Sequence, residues 1–323
     1  MFVNTKILGT GSYVPSHIVT NTDLEKIVDT SDEWIRTRTG IEERHISLDE
    51  NTTDLAYKAS LKAIEDAGIA KDEIDLVIVA TVTPDDVFPG VAQLLQARLN
   101  LPPVTAFDVN AACTGFVYAL NIADKMVGSG AYKHALVVGA ETLTKITDFT
   151  DRNTCVLFAD AAGAMIVSQD EDAHIEKVLT FAQGDEAYLL RMPAYPLKEN
   201  FQTPEHPRTF ITMQGKEVFK FAVGVIPKVI HQLLEDTNYT LDDLAYIIPH
   251  QANQRIIDKA AKDLGYPLER MYKNIQHYGN TSAASVPLAI DEAIKKGLIQ
   301  RGDLFATVAF GAGLTWGGAL IRW

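Results

Sequence analysis

Cys113 is one of two cysteines in a chain of 323 residues. It stands where a short extended run meets a helical pattern, in Phe107-Asp-Val-Asn-Ala-Ala-Cys-Thr-Gly-Phe-Val-Tyr-Ala-Leu120. A thiol on the first turn of a helix faces unpaired backbone N–H groups and the positive end of the helix dipole. Both favour the thiolate, and such sites lower a cysteine pKa from about 8.5 to roughly 3.5–7.5. Gly115, two positions on, lets a neighbour approach closely. His250 ends an apolar run in Pro249-His-Gln-Ala-Asn-Gln-Arg255, and Asn280 follows a glycine in Tyr278-Gly-Asn-Thr-Ser-Ala-Ala-Ser285. Each has a plain structural reading alone: a core thiol, a strand-end cap, a turn asparagine. Together they admit two chemistries. In one, the histidine deprotonates the cysteine and the asparagine orients the histidine, as in Cys-His-Asn hydrolases. In the other, the cysteine carries an acyl group while histidine and asparagine donate hydrogen bonds to a second thioester as it becomes an enolate.

For residues so far apart in sequence to meet, the chain must fold around them. Short β-branched runs, Leu76-Val-Ile-Val-Ala80, Ala135-Leu-Val-Val-Gly139, Ala164-Met-Ile-Val167, Tyr246-Ile-Ile-Pro249 and Leu304-Phe-Ala-Thr-Val-Ala309, alternate with helical periods over 53–67, 91–99, 115–129, 216–236, 254–264 and 283–296. That alternation predicts an α/β protein with helix-covered sheets. Residues 65–80 align without gaps against 235–250, each reading as a helix end, an acidic turn and an apolar strand, and 135–139 echoes 306–311. Two related halves are therefore expected, 1–172 carrying the cysteine and 173–323 carrying the histidine and asparagine. The join falls in the proline-bearing stretch 168–210.

Composition narrows the classes. A hydrophobic content of 47% in this length buries a sizeable core. A net charge of −13 offers no general field for nucleic acid. Two cysteines make no disulfide framework. With no signal-like start and no long apolar run, a cytoplasmic protein that does not enter the membrane is expected. A papain-like hydrolase would place its cysteine near a mature N-terminus, which Cys113 is not.

At this point the motifs carry a resemblance. Ala111-Ala-Cys-Thr-Gly-Phe116, Pro249-His-Gln-Ala-Asn253, Gly279-Asn-Thr-Ser-Ala-Ala-Ser285 and Phe310-Gly-Ala-Gly-Leu-Thr-Trp-Gly317 resemble the signature segments of the β-ketoacyl-acyl-carrier-protein synthase III family. So do Asp29-Thr-Ser-Asp-Glu-Trp-Ile-Arg-Thr-Arg-Thr-Gly-Ile41 and Thr150-Asp-Arg-Asn-Thr-Cys-Val-Leu-Phe158, so the likeness spans nearly the whole chain. It implies the thiolase fold, two similar halves forming a five-layer αβαβα sandwich, in a homodimer.

The resemblance also implies a mechanism. Cys113 takes the acyl group of a short acyl-CoA, and malonyl-acyl carrier protein then loses carbon dioxide and attacks that acyl group, initiating fatty acid synthesis. His250 and Asn280 serve the second step, and the backbone N–H groups of Cys113 and Ala312 form an oxyanion hole. Trp34, Arg38 and Arg152 match coenzyme A-binding positions. Lys220, Gln251, Ala252, Asn253, Gln254 and Arg255, with Lys262 nearby, match the carrier-protein docking region. Phe88 matches the aromatic that reaches a partner's acyl pocket, which Leu143 also helps to shape. No metal and no resident cofactor are implied; coenzyme A enters as substrate thioester.

Ala159, Ala161 and Ala312 stand where relatives have glycine, and 184–207 lacks the usual glycine-rich run. Alternatives remain: a synthase of secondary metabolism with the same three residues, a Cys-His-Asn thioester hydrolase, or a non-catalytic binder on the same scaffold. A degradative thiolase would need a second cysteine in the C-terminal half, where Cys155 does not lie.

Overall fold

The computed structural model describes residues 3–172, 174–194 and 209–323. Its first sheet has the strand order Asn4–Tyr13, Asp160–Asp170, His134–Thr142, Leu76–Ala80, Thr105–Val109. The first two neighbour pairs are antiparallel and the last two parallel. The second sheet runs Ile175–Ala182, Thr315–Arg322, Leu304–Gly311, Leu244–Pro249, with the same sequence of two antiparallel pairs and one parallel pair. Its fifth place holds only a single parallel bridge between Ile247 and Met271.

The echo in sequence is thus an echo in topology. The 3-10 turns Lys71–Glu73 and Leu241–Asp243 precede equivalent strands. The turns Ala112–Thr114 and Ser282–Ala284 precede the helices Gly115–Gly128 and Ser285–Lys295, and both turns open on a left-handed non-glycine residue, Ala112 (φ 47°) and Ser282 (φ 48°). Such backbone is costly and persists where the surroundings over-determine it.

Five layers result. Thr52–Ala67 and Val91–Arg98 cover the outer face of the first sheet, and Gly215–Leu234 and Gln254–Leu264 cover that of the second. Gly115–Gly128 and Ser285–Lys295 lie between the sheets. The middle layer is largely apolar: Phe116, Val117, Leu120, Ala123, Val286, Ala289 and Ile290 pack in one cluster with Ile78 and Val137 of one sheet and Phe305 and Ile321 of the other. Leu76–Ala80 is buried at every position, which is why it reads as an unbroken apolar run and not as an alternation. Of the stretch 184–207, which lacks the glycine-rich run, residues 195–207 lie outside the described residues.

Candidate active site

The two central helices begin at the same level, so the turns that precede them face one another. One carries Cys113, and the other follows Asn280. The third wall is the hairpin after Leu304–Gly311. Gly311 presses so closely on the cysteine that a Cβ there would lie 2.8 Å from Cys113 N and 3.0 Å from its Cβ, a space only glycine leaves open. Thr315 pins hairpin to turn, its hydroxyl lying 3.1 Å from Ala111 O, 3.0 Å from Thr114 Oγ1 and 3.0 Å from Ala312 O.

His250 ends the Leu244–Pro249 strand, its N–H donating to Val308 O at 2.7 Å. Its ring meets Phe310 edge-on, centroids 5.3 Å apart. Its Nδ1 lies 2.5 Å from Ser285 Oγ, at the start of the second central helix. Asn280 is fixed by its backbone, N–H to Leu157 O at 2.8 Å and O from Ala159 N–H at 3.0 Å. The Ser282 N–H donates to Asn280 Oδ1 at 2.9 Å. Only an oxygen accepts, so this bond fixes the amide orientation and turns the Nδ2 donors the other way. Phe310 packs on the His250 ring, its neighbour Gly311 on Cys113, and the Ser282 turn that follows Asn280 on the Cys113 turn, so the three residues lie on adjoining elements.

The electrostatics differ from the expectation for a helix-terminus thiol. Burial pushes the Cys113 thiol up to about 12, with the Glu141 carboxylate adding to the rise and Ser282 hydrogen bonding opposing it. Desolvation therefore outweighs the helix terminus, and the resting group is a thiol. Burial likewise lowers His250 to about 3, so its imidazole is neutral at physiological pH.

The other expected positions separate into groups. Arg152 stacks on Trp34, its guanidinium 5.1 Å from the ring centroid, on the half-exposed edge of the Asp32–Thr39 helix. An intercalated aromatic ring needs about 7 Å, two contacts of roughly 3.5 Å each, so the pair would have to part to hold one. Arg38 is exposed at the end of the same helix, and its carbonyl accepts from Asn253 Nδ2 at 3.0 Å. Asn253 caps Gln254–Leu264 through Arg255 N–H. Arg255, Lys220 and Lys262 are exposed, Arg255 lying over Phe219 at 5.5 Å; Ala252 and Gln254 are half-buried beside them.

Gln251, of the same expected docking region, faces inward. It is buried, its amide donates to Pro249 O and Tyr272 O, and it accepts from Asn274 N–H, so it braces the His250 loop from inside. Phe88 is 84% exposed, with Val87 beside it at 72%. Leu143 is buried with Phe158 and Ile211 in a small cluster that adjoins Asn280 through the Phe158–Asn280 bridge. Ala159 and Ala161 are buried, and Ala161 pairs with Glu141 across the sheet.

Three polar residues went unmarked in the sequence. Ser282 and Ser285 lie in the Asn280 motif itself, and Glu141 is an acid closing an otherwise apolar strand, which is the signal that was there to read. Among the described residues, one group has metal-ligand geometry, Asp170, Asp172 and His174. It lies on a surface turn where Asp170 already pairs with Lys6.

Comparison with known proteins agrees with this geometry. The family described as 3-oxoacyl-[acyl-carrier-protein (ACP)] synthase III matches residues 107–186, and its C-terminal counterpart matches 234–323. A beta-ketoacyl-[acyl-carrier-protein] synthase III of Xanthomonas campestris pv. campestris is 53% identical over 322 residues, covering 99% of both chains. The crystal structure of 3-oxoacyl-[acyl-carrier-protein] synthase III from Aquifex aeolicus superposes with a TM-score of 0.92 at 47% identity, covering 99% of this chain and 100% of that one. The priming beta-ketosynthase of the R1128 polyketide biosynthetic pathway gives 0.93 at 36% identity, covering 99% of this chain and 96% of that one.

Proposed function

The chain belongs to the β-ketoacyl-[acyl-carrier-protein] synthase III family, and from that premise we propose how its site divides the work. It is an acyltransferase-type condensing enzyme. It joins a short acyl-CoA primer to malonyl-acyl carrier protein with loss of carbon dioxide, giving a 3-oxoacyl-acyl carrier protein and initiating fatty acid synthesis. The packing of the Cys113 turn on the turn that follows Asn280, with Gly311 against Cys113 and Phe310 against His250, is the observation that supports this division.

Cys113 attacks the acyl-CoA carbonyl, and the backbone N–H groups of Cys113 and Ala312 hold the oxyanion; the approach of Gly311 to Cys113 N supports that pairing. Ser285 donates its hydroxyl hydrogen to His250 Nδ1, which leaves the ring proton on Nε2. That N–H and the Nδ2 donors of Asn280 stabilise the enolate formed as malonyl loses carbon dioxide. A neutral histidine suits this role and is a poor base for the thiol.

Trp34 and Arg152 part to hold the adenine of coenzyme A, with Arg38 beside them. Lys220, Arg255 and Lys262, with Ala252, Asn253 and Gln254, form a local basic rim for the acidic carrier protein. The exposed Val87–Phe88 tip supports a homodimer in which Phe88 enters the partner's acyl pocket. A cytoplasmic setting is supported by two buried free cysteines and by the absence, among the described residues, of any helix long and apolar enough to cross a membrane.

The test is a panel of primers, from acetyl- to branched and medium-chain acyl-CoA, with malonyl-acyl carrier protein as extender. Formation of 3-oxoacyl-carrier protein from at least one short primer is expected. Hydrolysis of every primer without condensation contradicts the reading.

A further inference from the structure

Behind the Cys113 turn lies a carboxylate that the reaction above does not use. Glu141 sits near the end of the His134–Thr142 strand with no exposed surface. Its oxygens accept from Thr83 Oγ1 at 2.6 Å, Thr81 Oγ1 at 3.2 Å and Val82 N–H at 3.1 Å, all neutral donors. The Ser282 hydroxyl bears on both Glu141 and Cys113, and its hydrogen bonding favours the ionised form of each.

The backbone explains this placement. The Ser282–Ala284 turn packs on the Ala112–Thr114 turn and on the Glu141 strand at once. Gly139 comes so close to it that a Cβ would lie 2.3 Å from Ala283 O. The turn that carries Ser282 therefore lies against both the Cys113 turn and the Glu141 strand, and all three residues are buried.

We propose that Glu141, acting through the Ser282 hydroxyl, accepts the Cys113 thiol proton during acyl transfer and returns it when condensation releases the cysteine. The proposal rests on the reading of Cys113 as the acyl-accepting thiol. In the first half-reaction the S–H proton passes to Ser282 Oγ as the Ser282 proton passes to Glu141. The sulfur bonds the acyl carbon, and the bond to the coenzyme A sulfur breaks. Coenzyme A leaves as a thiolate and takes a proton from water. In the second half-reaction the malonyl carbanion bonds the acyl carbon, the bond to Cys113 breaks, and the Cys113 thiolate regains its proton from Glu141 through Ser282. One solvent proton is consumed per turnover, as decarboxylative condensation requires.

Burial favours this assignment. A protonated Glu141 beside a neutral thioester leaves no buried charge during the acyl-enzyme state. An ionised Glu141 in the resting enzyme holds the thiol protonated until substrate arrives. His250 has too low a proton affinity to serve instead. The titratable groups that bear on Glu141 are Cys113 and Lys145; Lys145 is itself under Asp85, Asp86 and Asp160 and donates to Thr83 O and Pro84 O.

The experiment follows the burst of coenzyme A release from acyl-CoA alone, across pH 5.5 to 9, in the intact enzyme and in Glu141→Gln, Glu141→Asp and Ser282→Ala. Burial sets Glu141 near about 7, so the wild-type burst rate should climb through neutrality as the carboxyl ionises and then level off. Glu141→Gln should slow the burst by roughly 10²-fold, the low end of general-base effects, and lose the climb. Glu141→Asp should recover part of both, and Ser282→Ala should behave as Glu141→Gln does. Calorimetric coenzyme A affinity should stay within about threefold throughout, which separates proton transfer from a collapsed site. A Glu141→Gln burst with wild-type rate and pH profile overturns the proposal. So does a loss in which affinity falls in step with rate and the profile keeps its shape. Cys113→Ala, run alongside, separates the two failures: an acyl adduct that persists in it removes the cysteine reading and the relay with it, whereas an adduct lost in Cys113→Ala beside an unaltered Glu141→Gln burst overturns the relay alone.

Discussion

The Nδ1 of His250 and the hydroxyl of Ser285 are 2.5 Å apart, although the two residues come from a strand of the outer sheet region and from the first turn of a central helix. This contact fixes the imidazole plane and, with Ser285 as donor, its tautomer. Ser285→Ala should therefore slow condensation while leaving acylation of Cys113 untouched. One hydrogen bond of about 1 kcal/mol corresponds to a factor of roughly five. Single-turnover rates of the two half-reactions, measured separately, check this; equal losses in both would show that Ser285 supports the whole site and not the histidine.

A second expectation concerns charge. Burial holds His250 near about 3 against an ordinary value of 6.5. Between those values the unfolded chain binds a proton that folded His250 refuses. This residue's contribution to stability is thus complete above pH 6.5 and is lost as pH falls toward 3. Imidazole nitrogen shifts recorded from pH 8 to pH 5 should show His250 neutral throughout, and a midpoint near 6.5 would contradict its burial.

Much of this architecture was legible in the sequence, for identifiable reasons. Leu76–Ala80 is buried between two parallel partners, and Leu244–Pro249, though it ends its sheet, is packed on both faces, so their apolar runs are continuous. The strands Asn4–Tyr13 and Ile175–Ala182 are sheet edges, with polar and partly exposed positions that mimic loop, and the run pattern does not mark them. Cys113, His250 and Asn280 were visible because each sits at a strand or helix terminus. Ser282, Ser285 and Glu141 were not, since their importance arises only when two turns from different halves meet. That the Gln251 amide is spent on Pro249, Tyr272 and Asn274 was not legible either, because those partners meet only in the fold. The thiol's high pKa also required the fold, because a helix terminus is local and burial is not.

The third prediction follows from the approach of Gly311 to Cys113. A methyl group at position 311 would stand 2.8 Å from Cys113 N, so Gly311→Ala must displace either the hairpin or the cysteine turn. Overpacking of this kind typically costs about 1–3 kcal/mol. Acylation should fall by about 10² or more, as when an oxyanion donor is removed. Thermal unfolding together with the coenzyme A burst measures both, and a fully active Gly311→Ala enzyme would show that the hairpin does not set the oxyanion geometry.

The account turns most directly on which sulfur carries the acyl group. Both cysteines are buried, and burial raises both, Cys113 to about 12 and Cys155 to about 11. Basicity does not separate them; position does, since Cys113 lies against the Gly311 hairpin and the turn that follows Asn280, whereas Cys155 packs in a separate cluster with Leu24, Ile35 and Ile41. Intact-protein and peptide mass spectrometry after brief exposure to acyl-CoA, without malonyl-carrier protein, reads the answer. A single acyl adduct on the peptide containing Cys113, absent from Cys113→Ala, is the predicted result; an adduct on Cys155, or one that survives in Cys113→Ala, would contradict it.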